Sequence, residues 1–425
     1  MEHLEHNMST LPNFQVKDAL TEIIKNAFPL EKNYELKIKS GSSKGDNYIG
    51  VVYRATVIQR KEKKDAKDNF SVIIKVPPQN PIRRKQFFAR PCFLREALAY
   101  EEILPIYKEF QNKKKINLED SFFEYPDCYK TLTEDYHEAV FLKDLQLDGF
   151  RMFNRLEELS LDYVILVIKI LAKLHAVCFA IKDQNPDLIE KYKTIPDIFE
   201  ERREDVGFRF YLEELKGRAM DSLNPKTDEK EIHQLTTFFR DGTTYDYLMN
   251  SVDGKSAEPY SVLGHRDCWN NNVLFKRKGG KPVEARLIDW QLMCFCSPVC
   301  DLSYYIFSCT TKSFRNEHYE EILEIYHQEL SKLIKLLGSD PEKLFPRSAL
   351  NDHLKRFGKL GLIMAMILMP IVLSQAENVP DLDELSEQLE SGSEVKGHFS
   401  SDDTAERFNK RMRDVIIDMV ELGYI

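Results

Sequence analysis

The sequence predicts an α+β protein of two lobes, a small N-terminal lobe built on an antiparallel sheet and a larger, mostly helical C-terminal lobe. Three observations carry this. Strand-like segments crowd Tyr34 to Lys39, Tyr48 to Ile58 and Phe70 to Val76, and the second places Ile49, Val51, Tyr53, Ala55 and Val57 on one face by strict alternation. A fourth strand-like piece, Ala139 to Leu142, ends this region. From Leu161 to Ile181 the chain turns into a long, almost wholly apolar helical run, of the kind buried on most sides, and helical periodicity dominates the remainder of the chain. With 425 residues, 43% hydrophobic, 30% charged, 17 Gly and 18 Pro, the composition is that of an ordered globular chain long enough for two domains.

The elements come in order. Residues 1–29 read as an N-terminal helical segment, because Phe14, Val16, Leu20, Ile23, Ile24 and Phe28 recur at helical spacing. Residues 30–145 form the small lobe. Its hairpin tip, Arg60 to Asp68, is nearly all charge and belongs in solvent, and a helix from about Arg90 to Phe110 separates the third strand from the fourth. Residues 146–425 form the large lobe, in which the strand-rich stretch Val262 to Gln291 interrupts the helices. The acidic, Ser- and Gly-bearing stretch Asp381 to Asp403 reads as a surface loop or a loosely held helix.

Several function classes drop out. Sixty basic against sixty-nine acidic residues give a formal charge of −9, which argues against a nucleic-acid-coating surface. Met1 to Thr10 lacks the basic and apolar regions of a secretory signal, and the apolar run Leu360 to Leu373, interrupted by Pro370, is shorter than the ~20 residues of a membrane span. No membrane span is expected. Eight cysteines fit a reducing compartment, so a cytoplasmic location is expected, and Cys294, Cys296, Cys300 and Cys309, without a C-x-x-C pair, read as buried thiols rather than zinc ligands.

The strongest chemical signal is His265-Arg-Asp-Cys-Trp-Asn-Asn-Asn272 followed by Leu287-Ile-Asp-Trp290. It fits H-R-D-x-x-x-x-N and then an apolar strand closing on Asp, an arrangement suited to phosphoryl transfer. Asp267 would accept the proton of an attacking hydroxyl, while Asn272 and Asp289 would return an amide oxygen and a carboxylate to Mg²⁺ across the phosphates. Earlier in the chain, Lys75 ends the apolar strand Val72-Ile-Ile-Lys75, from which it would reach α- and β-phosphates. Glu96 lies on the following helix as its natural partner. The Gly- and Ser-rich loop Ser40 to Tyr48 precedes that strand and offers Gly41, Ser42, Ser43, Lys44, Gly45, Asp46 and Asn47 as a phosphate cover, although its glycines do not fit G-x-G-x-x-G.

Together these segments resemble the CHK-kinase-like group, also called ecdysteroid-kinase-like, of the aminoglycoside-phosphotransferase and choline-kinase superfamily. The resemblance rests on Gly45-Asp-Asn-Tyr48, Phe93-x-x-Glu96 with Tyr100, Leu104-Pro105, Asp144-Leu145 with Gly149-Phe-Arg-Met152, Leu171-Ala-Lys-Leu-His-Ala176, the Asp267 motif, Asp289-Trp-Gln291, Ser297-Pro298 with Asp301-Leu302, and Arg411 to Tyr424. It implies a protein-kinase-like bilobal fold that moves the γ-phosphate of ATP to a small-molecule alcohol with Mg²⁺ as cofactor. By position it makes Asp267 the base, Asn272 and Asp289 the metal ligands, and Lys75 with Glu96 the phosphate-binding pair. The backbone of Leu142, Lys143, Asp144 and Leu145 becomes the adenine-binding hinge. Three residues depart from the pattern: Arg266 stands where the family usually has Gly, Lys143 where the hinge is usually acidic, and Trp290 where Phe is usual.

The resemblance suggests an ecdysteroid or another lipophilic alcohol, foreign compounds included, as acceptor, with choline or ethanolamine a lesser reading. A pseudokinase acting as a binding module is disfavoured, because a scaffold has no physical need of Lys75, Glu96, Asp267, Asn272 and Asp289 together. A protein kinase is disfavoured by the lack of D-F-G and A-P-E and by the short run from Asp289 to Asp301. His175 and His265 read as structural histidines, Asp301 as a brace for the catalytic loop, and the aromatic residues between Asp183 and Val252 as part of the acceptor wall.

Overall fold

In the computed structural model, residues 8–27, 34–42, 49–59, 69–374, 382–390 and 402–425 are described. The chain divides into two compact units: Met1–Glu101, Tyr125–Arg151 and Val379–His398 form the smaller, and Glu102–Glu124, Met152–Asn378 and Phe399–Ile425 the larger.

The smaller unit is built on a five-stranded sheet in the order β1 (Tyr34–Ser40), β2 (Val51–Gln59), β3 (Asn69–Val76), β5 (Ala139–Lys143), β4 (Cys128–Leu132). Every neighbouring pair is antiparallel. Alternation on β2 and β3 puts Ala55, Val57, Val72, Ile74 and Val76 on one face. Helix α1 (Phe14–Ala27) lays Val16, Ala19, Leu20, Ile23 and Ile24 on that face. The segment read as a separate N-terminal piece is therefore part of this unit's core. Because β3 has a period of two, the face opposite Val72, Ile74 and Val76 receives Lys75. Two helices follow, α2 (Pro81–Gln86), capped by the Asn80 side chain on the backbone N–H groups of Ile82 and Arg83, and α3 (Ala89–Leu98).

The boundaries differ from 30–145 and 146–425 in three places: the smaller unit runs on to Arg151, and side chains give the reason for the other two. After one π-helical turn, α4 (Leu104–Lys114) carries Gln111, whose amide exchanges hydrogen bonds with the backbone of Phe122 at 2.6 and 3.1 Å. Lys173, on α5 (Leu161–Gln184), donates to the carbonyls of Glu119 and Ser121 and to Glu124. These bonds bind the stretch 102–124 into the larger unit. In the other direction, helix Leu382–Glu390, within the acidic stretch expected as loop or loose helix, returns to the smaller unit. There Asn80 donates to Glu387 at 2.9 Å, Gln86 to the Ser386 carbonyl at 3.0 Å, and Arg83 pairs with Asp383. The charged tip, residues 60–68, lies outside the described residues.

The larger unit is mainly helical. Helix α5 packs along α10 (Lys312–Leu336), while every residue of α9 (Pro298–Cys309) is buried. Between α5 and α10 run α6 (Val206–Asp221), α7 (Glu229–Phe238) and α8 (Thr244–Val252). After α10 come α11 (Arg347–Phe357), the apolar α12 (Leu360–Val372) and the terminal α13 (Asp402–Glu421). Arg315 fixes α13 through Asp418 at 2.5 Å, and Tyr319 through the Tyr424 hydroxyl at 2.7 Å. Helix α5 is long and apolar enough, by length and composition, to cross a membrane, but 83% of that apolar stretch is buried inside the protein. Four short strands frame the loops of interest: β6 (Val262–Gly264) pairs with β9 (Cys294–Cys296), and β7 (Val273–Lys278) forms a hairpin with β8 (Lys281–Leu287).

Candidate active site

In the smaller unit, β3 and α3 bring Lys75 and Glu96 together. Their side chains meet at 2.7 Å, and the two residues are only 5% and 1% exposed. The Lys75 ammonium also lies 5.6 Å from the centre of the Phe93 ring, one helical turn before Glu96. A buried ammonium needs such a partner, since an isolated charge in this setting would lose its proton or unfold the site.

The expected hinge sits at the end of β5. Leu142 and Leu145 are buried, and Lys143 turns outward to pair with Asp148 at 2.8 Å. That pairing raises the Lys143 pKa, the Asp148 hydrogen bond being the main cause. The Asp144 carboxylate is used within the fold: it accepts from Arg54 at 2.8 Å, from Ser71 at 2.8 Å and from the Gln146 backbone at 3.1 Å. Asp144 thereby ties β2, β3 and the hinge together. Of the proposed phosphate cover, Gly41 donates its N–H to the Val52 carbonyl at 2.7 Å, and the Ser42 carbonyl accepts from Ser40. Ser43, Lys44, Gly45, Asp46 and Asn47 lie outside the described residues.

In the larger unit, the H-R-D loop leaves β6 and runs into β7, a strand of a separate small sheet. Gly264 is needed at its start because a Cβ there would lie 2.7 Å from the Cys296 sulfur and 2.9 Å from an Asp301 oxygen. Asp301, in the first turn of α9, holds the loop by its backbone. Its carboxylate accepts from His265 N–H at 2.7 Å and Arg266 N–H at 2.6 Å, and from His175 Nε2 at 3.0 Å. The Tyr326 hydroxyl engages the other nitrogen of His175 at 2.8 Å. Burial works to raise the Asp301 pKa, but the hydrogen bond and charge of His175, with His265 and the Arg266 amide, outweigh it and leave it below the usual value. His265 reaches from the loop to the Ile288 carbonyl at 3.1 Å, and its ring packs at a tilt against Trp290, with centres 4.7 Å apart. Both histidines thus serve the loop's shape.

Asp267 lies at the centre of a buried polar cluster. Its carboxylate accepts from Asn272 at 2.9 Å, from Gln291 at 3.1 Å and from the Tyr304 hydroxyl at 3.1 Å. Burial, and then the charge of Asp267, push the Tyr304 pKa well above its ordinary value, so this phenol stays a donor. Gln291 and Tyr304 carry no role in the sequence reading. Tyr304 lies one helical turn beyond Asp301, the residue expected to brace the loop.

The same cluster bears on metal binding. The Asn272 Nδ2 group donates both to the Asp267 carboxylate and, at 2.8 Å, to its carbonyl, which turns the amide oxygen of Asn272 the other way. Asp289, half-buried, follows β8 with φ +70°. An amide oxygen and a carboxylate are hard oxygen donors, a set that fits Mg²⁺. Two residues here occupy the left-handed region, Asp289 and Arg266 at φ +67°, a conformation costing about 1–2 kcal/mol for a residue with a Cβ. The eight cysteines are all free, seven of them buried.

The aromatic residues expected to wall an acceptor pocket largely pack on one another. Phe199 stacks on Phe208 with ring centres 5.9 Å apart, and Phe238, Phe239 and Tyr247 form a second group. Phe210 faces solvent.

A strand lysine paired with a helix glutamate, and an H-R-D loop followed by Asn272 and Asp289, are features by which the kinase class is recognised. The chain belongs to the ecdysteroid kinase-like family, whose model matches residues 44–339. Among solved structures it is similar to the GDP complexes of aminoglycoside 2′-phosphotransferase-IIIa. A point mutant of that enzyme is 11% identical, with a TM-score of 0.41 over 95% of this chain and 98% of that one. The wild type is 10% identical, with a TM-score of 0.37 over 94% and 98%. It is also similar to the AMP-bound complex of spectinomycin phosphotransferase APH(9)-Ia, at 13% identity and a TM-score of 0.30 over 79% and 90%. No curated protein matches the sequence.

Proposed function

We propose that the protein is an ATP- and Mg²⁺-dependent kinase that transfers the γ-phosphate to a hydroxyl of a small, lipophilic alcohol such as an ecdysteroid or a foreign compound, acting in the reducing cytoplasm. The observation that carries the reading is the Asp267 carboxylate held by Asn272, Gln291 and Tyr304 on a loop braced by Asp301. Neutral donors fix the direction of this carboxylate. Mg²⁺, held by the amide oxygen of Asn272 and the carboxylate of Asp289, would supply neutralisation of the phosphate charge.

In this reading Lys75, kept in place by Glu96, binds the α- and β-phosphates, and the backbone of Leu142–Leu145 meets the adenine. Asp267 orients the acceptor hydroxyl in line with the γ-phosphate and takes its proton as the new O–P bond forms and the bond from the γ-phosphorus to the β–γ bridging oxygen breaks, releasing ADP. The family supports the phosphotransferase class, and its name supports the steroid as the first acceptor to try. The test is transfer of labelled γ-phosphate from ATP to ecdysone by the wild type and by D267N. A fall in rate of about 10²–10⁴-fold in the variant is expected, the range assigned to general acid–base catalysis. Equal rates in the two proteins would refute the role given to Asp267.

A further inference from the structure

Arg266 makes a second connection, separate from the Asp301 brace. Its guanidinium donates to the Asp197 carboxylate at 2.6 Å, across 69 residues of sequence, and both residues are buried. Burial opposes the charge on Arg266, but the Asp197 carboxylate outweighs it and keeps the guanidinium protonated. The other oxygen of Asp197 accepts from the Phe199 backbone at 2.9 Å, starting the short turn Glu200–Arg202. Phe199 stacks on Phe208 of α6, and its carbonyl accepts the Tyr245 hydroxyl of α8 at 2.7 Å. Arg202 covers the Phe208 ring at 4.0 Å. At the other end, the residue after Arg266 is Asp267. A backbone at φ +67° suits glycine, yet the loop carries an arginine there and commits its charge to one buried partner.

We propose that Arg266 is a positioning residue. Its ion pair with Asp197 fastens the turn bearing Phe199, and through it α6 and α8, to the catalytic loop, so that the segment 197–252 and the Asp267 carboxylate are set together. The proposal rests on the reading of Asp267 as the group that orients the acceptor. It assigns to the Arg266–Asp197 pair an effect on the transfer step and none on nucleotide affinity.

The test uses the full chain as wild type, D197N, R266K and R266G. D197N keeps an acceptor atom but drops the charge, and glycine tolerates the left-handed backbone. Three quantities are measured: ATP affinity by calorimetry with Mg²⁺, the rate of ADP formation with ecdysone and with water alone, and amide hydrogen exchange. D197N and R266G are expected to form ADP at least about tenfold more slowly at saturating ATP, with ATP affinity within about twofold of wild type. Exchange should quicken in residues 197–208 and 265–272 together while α12 stays protected, and R266K should recover part of the rate.

An unchanged rate in both variants overturns the proposal. So does exchange that rises across the whole larger unit, which would mean that the pair simply holds the fold. Should the wild type itself form no ADP with either acceptor, the kinase reading falls. The exchange pattern then decides the coupling alone, and a rise confined to one of the two segments refutes it.

Discussion

Lys75 in the smaller unit and Asp267 in the larger are both buried charges, but they are fixed by different means. Lys75 is held by an opposite charge, Glu96, at 2.7 Å. Among the groups that orient Asp267 are three neutral donors from different places in the chain, Asn272, Gln291 and Tyr304. The difference follows from the work proposed for each. A lysine that binds phosphate can share its charge with a carboxylate and still be attracted to an anion. A carboxylate that must accept a proton would lose basicity beside a full positive charge, because an opposite charge lowers its pKa. Neutral donors orient it at less cost to that basicity.

Stability measurements sharpen the contrast, beginning with the larger effect. Replacing Glu96 by Ala leaves Lys75 buried without its counter-charge and is expected to cost about 3–5 kcal/mol of unfolding free energy. The double variant K75M/E96L, which puts apolar side chains in both places, should regain most of that stability and bind ATP poorly. Urea unfolding followed by circular dichroism checks both. A double variant no more stable than E96A would show that the pair is not what makes the site costly to disrupt. At Asp267 the cost is shared, so Y304F should lose about 0.5–1.5 kcal/mol, the net worth of one hydrogen bond, and slow phosphoryl transfer by no more than about tenfold. A loss in Y304F as large as in E96A would break the comparison, since it would make one neutral donor equal to a full counter-charge.

Legibility in the sequence depended on distance along the chain. Strands β2 and β3 declare themselves by alternation, and α1 by its apolar spacing, because each pattern is local. Lys75 and Glu96 meet as the order of their segments suggested, and Asn272 returns to Asp267 as its five-residue spacing suggested. Strand β4 was not, since its residues are half-exposed and its ladder with β5 has a register shift. The fate of residues 102–124 turned on Gln111 and Lys173, polar side chains whose backbone partners no sequence pattern reveals. Asp197, Gln291 and Tyr304 escaped for the same reason, lying 69, 24 and 37 residues from the loop groups they bind. Phe199, Phe208, Phe238 and Phe239 pack on neighbouring rings, the usual fate of an aromatic stripe.

The central claim is that these residues serve a Mg²⁺-dependent ATP site. Calorimetric titration of the intact protein with ATP, with and without Mg²⁺ and with D289N as control, tests it without knowledge of the acceptor. The account predicts saturable binding that requires Mg²⁺ and weakens by about tenfold or more in D289N, a loss of about 1.4 kcal/mol. Binding of equal strength in all conditions would contradict the roles given to Asn272 and Asp289, and no binding in any of them would contradict the kinase reading itself.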